Sequence, residues 1–314
     1  RAIIFKNMQV IDEFLEGGVA SLGQIIDTNS CTNLMKQIKQ LIPLNEDFFK
    51  DNIFLKKNEA NPHLGERGVG SKQGRNLTEQ VNLDFIEKNP KLQQYLSKIL
   101  GHDYKIMRKK FVLGVPRNFI PKWITKETDN VRIAGLNSYV KPEYRGITYF
   151  HGIDFHMDLL DHKNRIGDFI TLYVYIQDVT PNMSPLFVVP KSHIFGALSF
   201  PYDVKILKKN KLSLGDGKGK SEILDFKMLT GAAGSAFFWS EYTLHGTQPT
   251  AETTVPRISL RYLIERGSSD KELPIDKLLK KVNGSLSIKS KDWKTFTEKK
   301  EFYTENPLKT INSK

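Results

Sequence analysis

Two stretches of alternating sequence set the architecture. In residues 170–179, ITLYVYIQDV, an extended chain puts Ile170, Leu172, Val174 and Ile176 on one face and Thr171, Tyr173, Tyr175 and Gln177 on the other. In residues 256–266, PRISLRYLIER, Ile258, Leu260, Tyr262 and Ile264 alternate with Arg257, Ser259 and Arg261. Successive strand side chains point to opposite faces, so each stretch predicts a strand with one apolar and one hydrogen-bonding face. Two readings of the arginine face are open. Turned to solvent, it belongs to an ordinary half-buried strand; turned into a barrel, it is an anion site.

The elements before the first alternation are of a different kind. Residues 27–44 open with N-cap candidates and place Leu34, Ile38, Leu41 and Ile42 on one helical face. Residues 45–80 are polar and glycine-rich and read as a long irregular loop. Asn89 caps a second helix with Pro90 in its first position, Leu92, Tyr95, Leu96 and Ile99 on one face, and Gly101 as its stop. The N-terminal third therefore reads as mainly helical. Beyond Gly101 the period becomes strand-like in YKIMRKKFVLGVP and VRIAGLNSYVKP, and LFVVP at 186–190 reads as a short buried strand. Ile275, Leu278, Leu279 and Val282 suggest a last helix ending near Gly284. No repeat or linker divides the chain. One domain is expected over 1–314, with a helical region at about 1–101, a β core at about 102–266, and a basic C-terminal helix and tail at 267–314.

Charge raises a question of partners. The 314 residues carry 47 Lys and Arg against 35 Asp and Glu, a net +12, which admits nucleic acid or acidic small molecules. The excess is local: residues 205–220 hold six lysines against one acid, and residues 271–314 hold eleven against six. Neither region has the interleaved aromatics of a single-strand-binding groove. Lysine-rich surface loops and a solvated tail are expected, with no specific nucleic-acid partner. Cys31 is the single cysteine, so no internal disulfide and no thiolate cluster can form. No apolar run is long enough for a membrane span, and a soluble, cytoplasmic chain is expected. The start at Arg1 instead of Met leaves a removed targeting peptide open.

Chemistry concentrates between His151 and His193. On a strand, His156 and Asp158 would project to the same side with Cα atoms roughly 6.5 Å apart, close enough to share a metal. The bland alternative is a polar strand end. A distant His245 completes the two-histidine, one-carboxylate set that holds non-haem Fe(II) and leaves positions open for other ligands. The order of the parts sharpens this reading. His156-Met157-Asp158 is followed by the alternating strand ending in Gln177-Asp178-Val179, then by residues 186–193, LFVVPKSH, then His245-Gly246-Thr247, and then Arg257, twelve residues after His245.

That order resembles the phytanoyl-CoA dioxygenase family of Fe(II)/2-oxoglutarate oxygenases over roughly residues 130–265. The resemblance implies a double-stranded β-helix, a jelly-roll or cupin-like core, covered by N-terminal helices. It implies Fe(II) held by His156, Asp158 and His245, with 2-oxoglutarate and O₂ consumed and succinate and CO₂ released. Arg257 matches the arginine that pairs with the distal 2-oxoglutarate carboxylate, for which a planar guanidinium fork is suited. Thr247, Tyr173 and Asn137 fall at further co-substrate contacts. There are departures: Asn182-Met183-Ser184-Pro185 and Pro190-Lys191-Ser192-His193 lack glycines common at these turns, and Tyr173 stands where tryptophan is frequent.

Tyr149, Tyr242 and Arg261 are the candidate substrate contacts, with Tyr175, Arg145 and Arg165 as further hydrogen-bonding or basic groups near the expected cavity. His193 reads as structural. Such a lining suits a small-molecule substrate bearing carboxylates better than a bare lipid. Residues 135–158, GLNSYVKPEYRGITYFHGIDFHMD, also resemble algal kainoid synthases, which close rings oxidatively, so hydroxylation and cyclisation of a biosynthetic intermediate both stay open. The rival from another class is a non-catalytic cupin-like or basic nucleic-acid-binding module.

Overall fold

The computed structural model describes residues 2–52, 75–129, 131–200, 202–208, 210–248, 253–288 and 307–313. Helix α1 (Ala2–Gly17) leads into strand β1 (Val19–Gln24) and helix α2 (Thr28–Leu41). Asp27 caps α2 by accepting from the Ser30 amide, and the helix buries Cys31, Leu34 and Ile38. A short α3 (Asp84–Glu87) precedes α4 (Pro90–Leu100). Asn89 accepts from the amides of Lys91 and Leu92, Pro90 sits where no intrahelical N–H bond is needed, and Gly101 ends the helix at φ 93°. The two predicted helices are present, but β1 interrupts the helical third.

The remaining elements are β2 (Lys105–Gly114), α5 (Lys122–Thr128), β3 (Ile133–Gly135), β4 (Thr148–His156), β5 (Phe169–Tyr175), β6 (Leu186–Val188), β7 (Val204–Lys208), β8 (Lys211–Gly215), β9 (Ser221–Asp225), β10 (Lys227–Leu229), β11 (Ser235–Ser240), β12 (His245–Thr247), β13 (Arg257–Glu265) and α6 (Pro274–Lys280). A ten-stranded sheet runs β1-β11-β5-β13-β2-β4-β12-β6-β10, with β3 added on β4. It is antiparallel except where β2 meets β4, and its long crossovers make a jelly-roll core.

Register explains both faces. Leu260 stands opposite Phe111 and Val174, and these join Ile170, Leu172 and Phe238 in one core with Phe14, Leu34, Ile38, Tyr95 and Ile99 of the helices. On the other face Arg261 stands opposite Lys110 and Tyr173, and Ser259 opposite Val112 and Tyr175. The helices thus cover the apolar side, and the polar side turns inward.

Four expectations change. Residues 131–142 do not form one strand: β3 stops at Gly135 and a 3₁₀ turn takes Asn137–Tyr139. The lysine-rich 205–220 stretch is not loop but part of a three-stranded meander, β7-β8-β9. Leu212 and Leu214 anchor it against Phe155, Phe200 and Phe226, while Lys205, Lys208, Lys218 and Lys220 are exposed. The tail is not all solvated, because Leu308 and Ile311 in the turn Pro307–Ser313 bury against that cluster. Asp158 is not on a strand: β4 ends at His156, and Asp158 opens a 3₁₀ turn, Asp158–Asp161. Most of the 45–80 loop, with His63, and residues 289–306 of the tail lie outside the described residues.

Candidate metal centre

Two distant segments deliver the three donors. His156 closes β4 and lies directly across from His245 on β12, which brings the imidazole centroids to 4.2 Å. The turn after Met157 then carries Asp158 back beneath them. Its Oδ1 lies 3.9 Å from His156 Nε2 and its Oδ2 lies 3.4 Å from His245 Nε2. One donor atom from each of the three lies within 4.8 Å of the others.

Strand β4 needs an irregularity to reach this arrangement. Gly152 at φ 87° and the register shifts against β3 and β12 replace a two-residue period with a three-residue one. Phe150, Ile153 and His156 therefore all reach the cavity. Bulges of this kind re-aim side chains beside functional sites. Gly246 is tied to the same spot: a Cβ there would sit 2.7 Å from the Ile153 carbonyl oxygen and from Leu308.

Backbone carbonyls orient both rings. His156 Nδ1 donates to the Asp154 carbonyl at 2.9 Å, and His245 Nδ1 donates to the Thr243 carbonyl at 3.0 Å. A carbonyl can only accept, so each Nδ1 carries a proton and each Nε2 is turned toward Asp158. Burial, reinforced by His245, pushes His156 down to about 4 and keeps it neutral. These residues fit a divalent metal: two Nε2 donors and a carboxylate, converging, with their outer atoms already bonded.

Asp158 is heavily supported. Thr171 Oγ1 donates to Oδ2 at 2.6 Å, Trp239 Nε1 donates to the same oxygen at 3.3 Å, and Arg261 Nη2 pairs with Oδ1 at 2.5 Å. Burial works to raise the Asp158 carboxyl, but the Arg261 guanidinium and the histidines outweigh it and hold the group well below the usual carboxylate range. Glu241, fully buried, goes the other way: burial and then the Asp158 charge push it well above its ordinary value. Its Oε1 lies 3.0 Å from Thr171 Oγ1. A protonated Glu241 can donate to Thr171 while Thr171 spends its one hydrogen on Asp158.

A cavity of about 350 Å³ opens at the triad. Arg257, 2% exposed, reaches it from β13. Its Nη1 donates to Tyr173 Oη at 3.2 Å and to Ser259 Oγ at 3.1 Å, its Nε has no partner, and no carboxylate pairs with it among the described residues. Tyr173 and Thr247 also line the cavity. Thr247 accepts from the Ile153 amide at 3.0 Å, which leaves its own hydrogen free to point elsewhere.

The other candidates are placed elsewhere. The Asn137 side chain is spent on the backbone, donating to the Ile147 carbonyl and accepting from the Tyr149 amide, both at 2.8 Å. Tyr149 belongs to the helix-side core and donates to the Tyr144 carbonyl. Tyr242 donates to the Leu286 carbonyl and accepts from the Gly167 amide, away from the cavity. Tyr175 is held by the Leu229 carbonyl, Arg145 by the carbonyls of Val140 and Ser138, and Arg165 by Glu265. His193 is fully buried outside the cavity wall. Sequence reasoning missed Trp239 and Glu241 behind Asp158, and Arg108 and Lys110 on β2, which line the cavity. Their signal was the spacing Arg108, Lys110, Val112, masked by Lys109 between the two cations.

No protein-family model and no curated protein matches the chain. Among solved structures the chain is similar to the epimerase SnoN in complex with Fe3+, alpha ketoglutarate and nogalamycin RO, with 13% identity over 83% of this chain and 84% of that one and a TM-score of 0.50. A second is the non-heme alpha-ketoglutarate-dependent carbocyclase SnoK from nogalamycin biosynthesis, with 10% identity over 90% and 93% and a TM-score of 0.47. At such identity the likeness to SnoN shows the shared fold. The neighbours are iron- and 2-oxoglutarate-dependent enzymes, and this chain carries a His-Asp-His set. No helix among the described residues is long and apolar enough to cross a membrane.

Proposed function

We propose that the protein is an Fe(II)/2-oxoglutarate-dependent oxygenase that oxidises a C–H bond of a small carboxylate-bearing metabolite, by hydroxylation or by oxidative ring closure. The observation that carries this reading is the pairing, in one cavity, of the converging His156, Asp158 and His245 donors with the buried Arg257 fork that has no carboxylate of its own. His156, Asp158 and His245 would hold the iron, which supplies the activation of O₂ that amino-acid side chains cannot.

This chain's own residues do the rest. Arg257, steadied by Tyr173 and Ser259, would take the distal carboxylate of 2-oxoglutarate. Thr247 is placed to give it a further hydrogen bond. Thr171, Trp239 and Arg261 fix Asp158, and the Asp154 and Thr243 carbonyls fix the two histidines, so little reorganisation accompanies binding. Phe150, Ile153 and Leu186 keep the cavity partly dry. The likeness to an epimerase crystallised with nogalamycin RO supports a biosynthetic role.

The test is anaerobic addition of Fe(II) and 2-oxoglutarate, which should produce a metal-to-ligand charge-transfer band, followed by succinate release on admitting O₂. His156→Ala and Asp158→Ala should lose both signals. Absence of the band in the wild type, or full succinate release by both variants, overturns the proposal.

A further inference from the structure

Glu241 is a buried carboxyl beside the metal centre to which the chemistry above gives no part. It lies between β11 and β12 and is fully buried. Its Oε1 stands 3.0 Å from Thr171 Oγ1, and its Oε2 has no partner. Among the described residues no cation lies within ion-pairing distance of it.

Hydrogens can be counted at Thr171. Two oxygen–oxygen contacts meet there, 2.6 Å to Asp158 Oδ2 and 3.0 Å to Glu241 Oε1. Each contact needs a hydrogen, because two oxygens that can only accept repel at such distances. The hydroxyl brings one, so one of the two carboxyls must bring the other. Asp158 is the poorer holder of a proton: Arg261 pairs with its Oδ1, and Thr171 and Trp239 donate to its Oδ2, all of which favours the ionised form. Glu241 has no such donors, and an ionised carboxylate cut off from water is costly. The proton therefore belongs to Glu241. Its unmatched Oε2 is then a carbonyl oxygen, a group less costly to orphan than an N–H or O–H donor. Burial, and then the Asp158 charge, drive the Glu241 carboxyl in the same direction.

Asp158 needs outside support because it has left β4 and stands on a 3₁₀ turn, where no strand pairing holds it. Glu241 grips that turn twice. Its backbone carbonyl accepts from the Leu159 amide at 3.4 Å, and its acid reaches Asp158 through Thr171. A threonine hydroxyl left to itself can turn to nearby backbone carbonyls. One that accepts from Glu241 has its hydrogen aimed at Asp158, and accepting makes it a stronger donor.

We infer that Glu241 is a positioning residue held as a neutral acid: it donates to Thr171 and, through that hydroxyl, aims Asp158 at the metal. The inference rests on Asp158 being a metal ligand, as the oxygenase reading has it, and adds a residue that the reading leaves idle.

Metal affinity is measured by chelator competition with Fe(II) under anaerobic conditions. Glu241→Leu should lower it about threefold or more, less than Thr171→Val because the lost group acts one hydrogen bond further from the ligand. Glu241→Gln, whose amide can donate to the same hydroxyl, should bind iron more tightly than Glu241→Leu. In the Thr171→Val background Glu241→Leu should cost less than it does alone. Infrared difference spectra of metal-free protein at neutral pH, wild type against Glu241→Gln, should show the carbonyl stretch of a neutral carboxylic acid, and Thr171→Val should shift that band. A smaller loss in Glu241→Leu, an equal loss in Glu241→Gln, an undiminished loss in the Thr171→Val background, or a missing or unshifted band would each overturn the assignment. The infrared comparison stays decisive if Glu241→Leu does not fold. None of these readouts needs keto acid or O₂. A wild type that binds iron but gives no charge-transfer band with 2-oxoglutarate refutes the oxygenase reading and leaves Glu241 to its own test.

Discussion

Replacing Arg257 with glutamine should weaken 2-oxoglutarate binding without releasing iron. Arg257 is 2% exposed and, among the described residues, is held by neutral groups, Tyr173 Oη at 3.2 Å and Ser259 Oγ at 3.1 Å. Its charge therefore awaits an anion. Two unit charges about 4 Å apart attract by about 4 kcal/mol at the effective dielectric of a partly wet site, inside the range of about 2–5 kcal/mol for truncating one member of a buried charge pair. At 1.4 kcal/mol per decade this is roughly thirty-fold to a few thousand-fold in affinity. Anaerobic titration of 2-oxoglutarate into the Fe(II)-loaded variant, followed by the charge-transfer band, measures it. Iron affinity, read by chelator competition, should stay near wild type, because Arg257 does not contact His156, Asp158 or His245. Arg257→Lys should fall between the two, since it keeps the charge and loses the fork. A 2-oxoglutarate constant within threefold of wild type in Arg257→Gln would refute the reasoning and, if Arg261→Gln showed the loss instead, would move the anchor to Arg261.

Three further outcomes follow from the same geometry. Thr171→Val removes the 2.6 Å hydrogen bond to Asp158 Oδ2 and should lower metal affinity by about ten- to a hundredfold, the usual effect of losing a group that orients a ligand; unchanged chelator competition would exclude that role. Gly246→Ala drives a methyl into the Ile153 carbonyl, so β12 must shift and carry His245 with it. Metal affinity should fall while α2 and α4 stay protected in hydrogen exchange, and a variant with wild-type iron binding would show that the strand can absorb the methyl. Lys110 has a folded value of about 7 against 10.5 unperturbed, so between those values the unfolded chain binds more protons and stability of the ligand-free protein rises with pH. The penalty is full below pH 7 and gone above 10.5, on the order of 1 kcal/mol per pH unit between them. Lys110→Met should therefore raise the Tm more at pH 7 than at pH 9.5, and equal gains at the two pH values would rule this out.

What could be read before folding was whatever depends on near neighbours. The faces of β5 and β13 follow from alternation, and the caps at Asp27, Asn89 and Gly101 follow from local hydrogen bonding. His156, Asp158 and His245 were legible as donor types in order, yet the strand geometry expected for the first pair is wrong, because β4 ends at His156 and a turn supplies Asp158. Tyr149 was expected at the cavity, but the bulge beside Gly152 sets the parity of β4, and Phe150 faces the site in its place. Asn137 and Tyr242 carry polar groups that local sequence cannot distinguish from binding groups. Only the fold reveals that Ile147, Leu286 and Gly167 already occupy them. Trp239 and Glu241 meet Asp158 and Thr171 across 70 residues or more, a distance over which no local pattern reports. Arg108 and Lys110 lay in a stretch read as strand-like, where the intervening Lys109 hid the alternation.

The inner face of the sheet works against the fold that carries it. Lys110 opposes Arg261 across β2 and β13, Arg257 is buried with no carboxylate beside it among the described residues, and Asp158 must answer Arg261 and two histidines at once. Stability has to come from the opposite face, where Ile170, Leu172, Val174, Ile258 and Leu260 pack beneath α2 and α4 at close to zero exposure. That division of labour ties ligand affinity to unrelieved charge. An anion that enters the cavity beside Arg257 supplies a counter-charge that no described carboxylate provides, so it binds by removing a penalty already present as well as by making new contacts. A ligand that binds only the native state stabilises it in proportion to its affinity. Removing the Arg257 charge is therefore expected both to relax the empty protein and to cost it its anionic ligand, because both effects arise from a cation with no carboxylate beside it among the described residues.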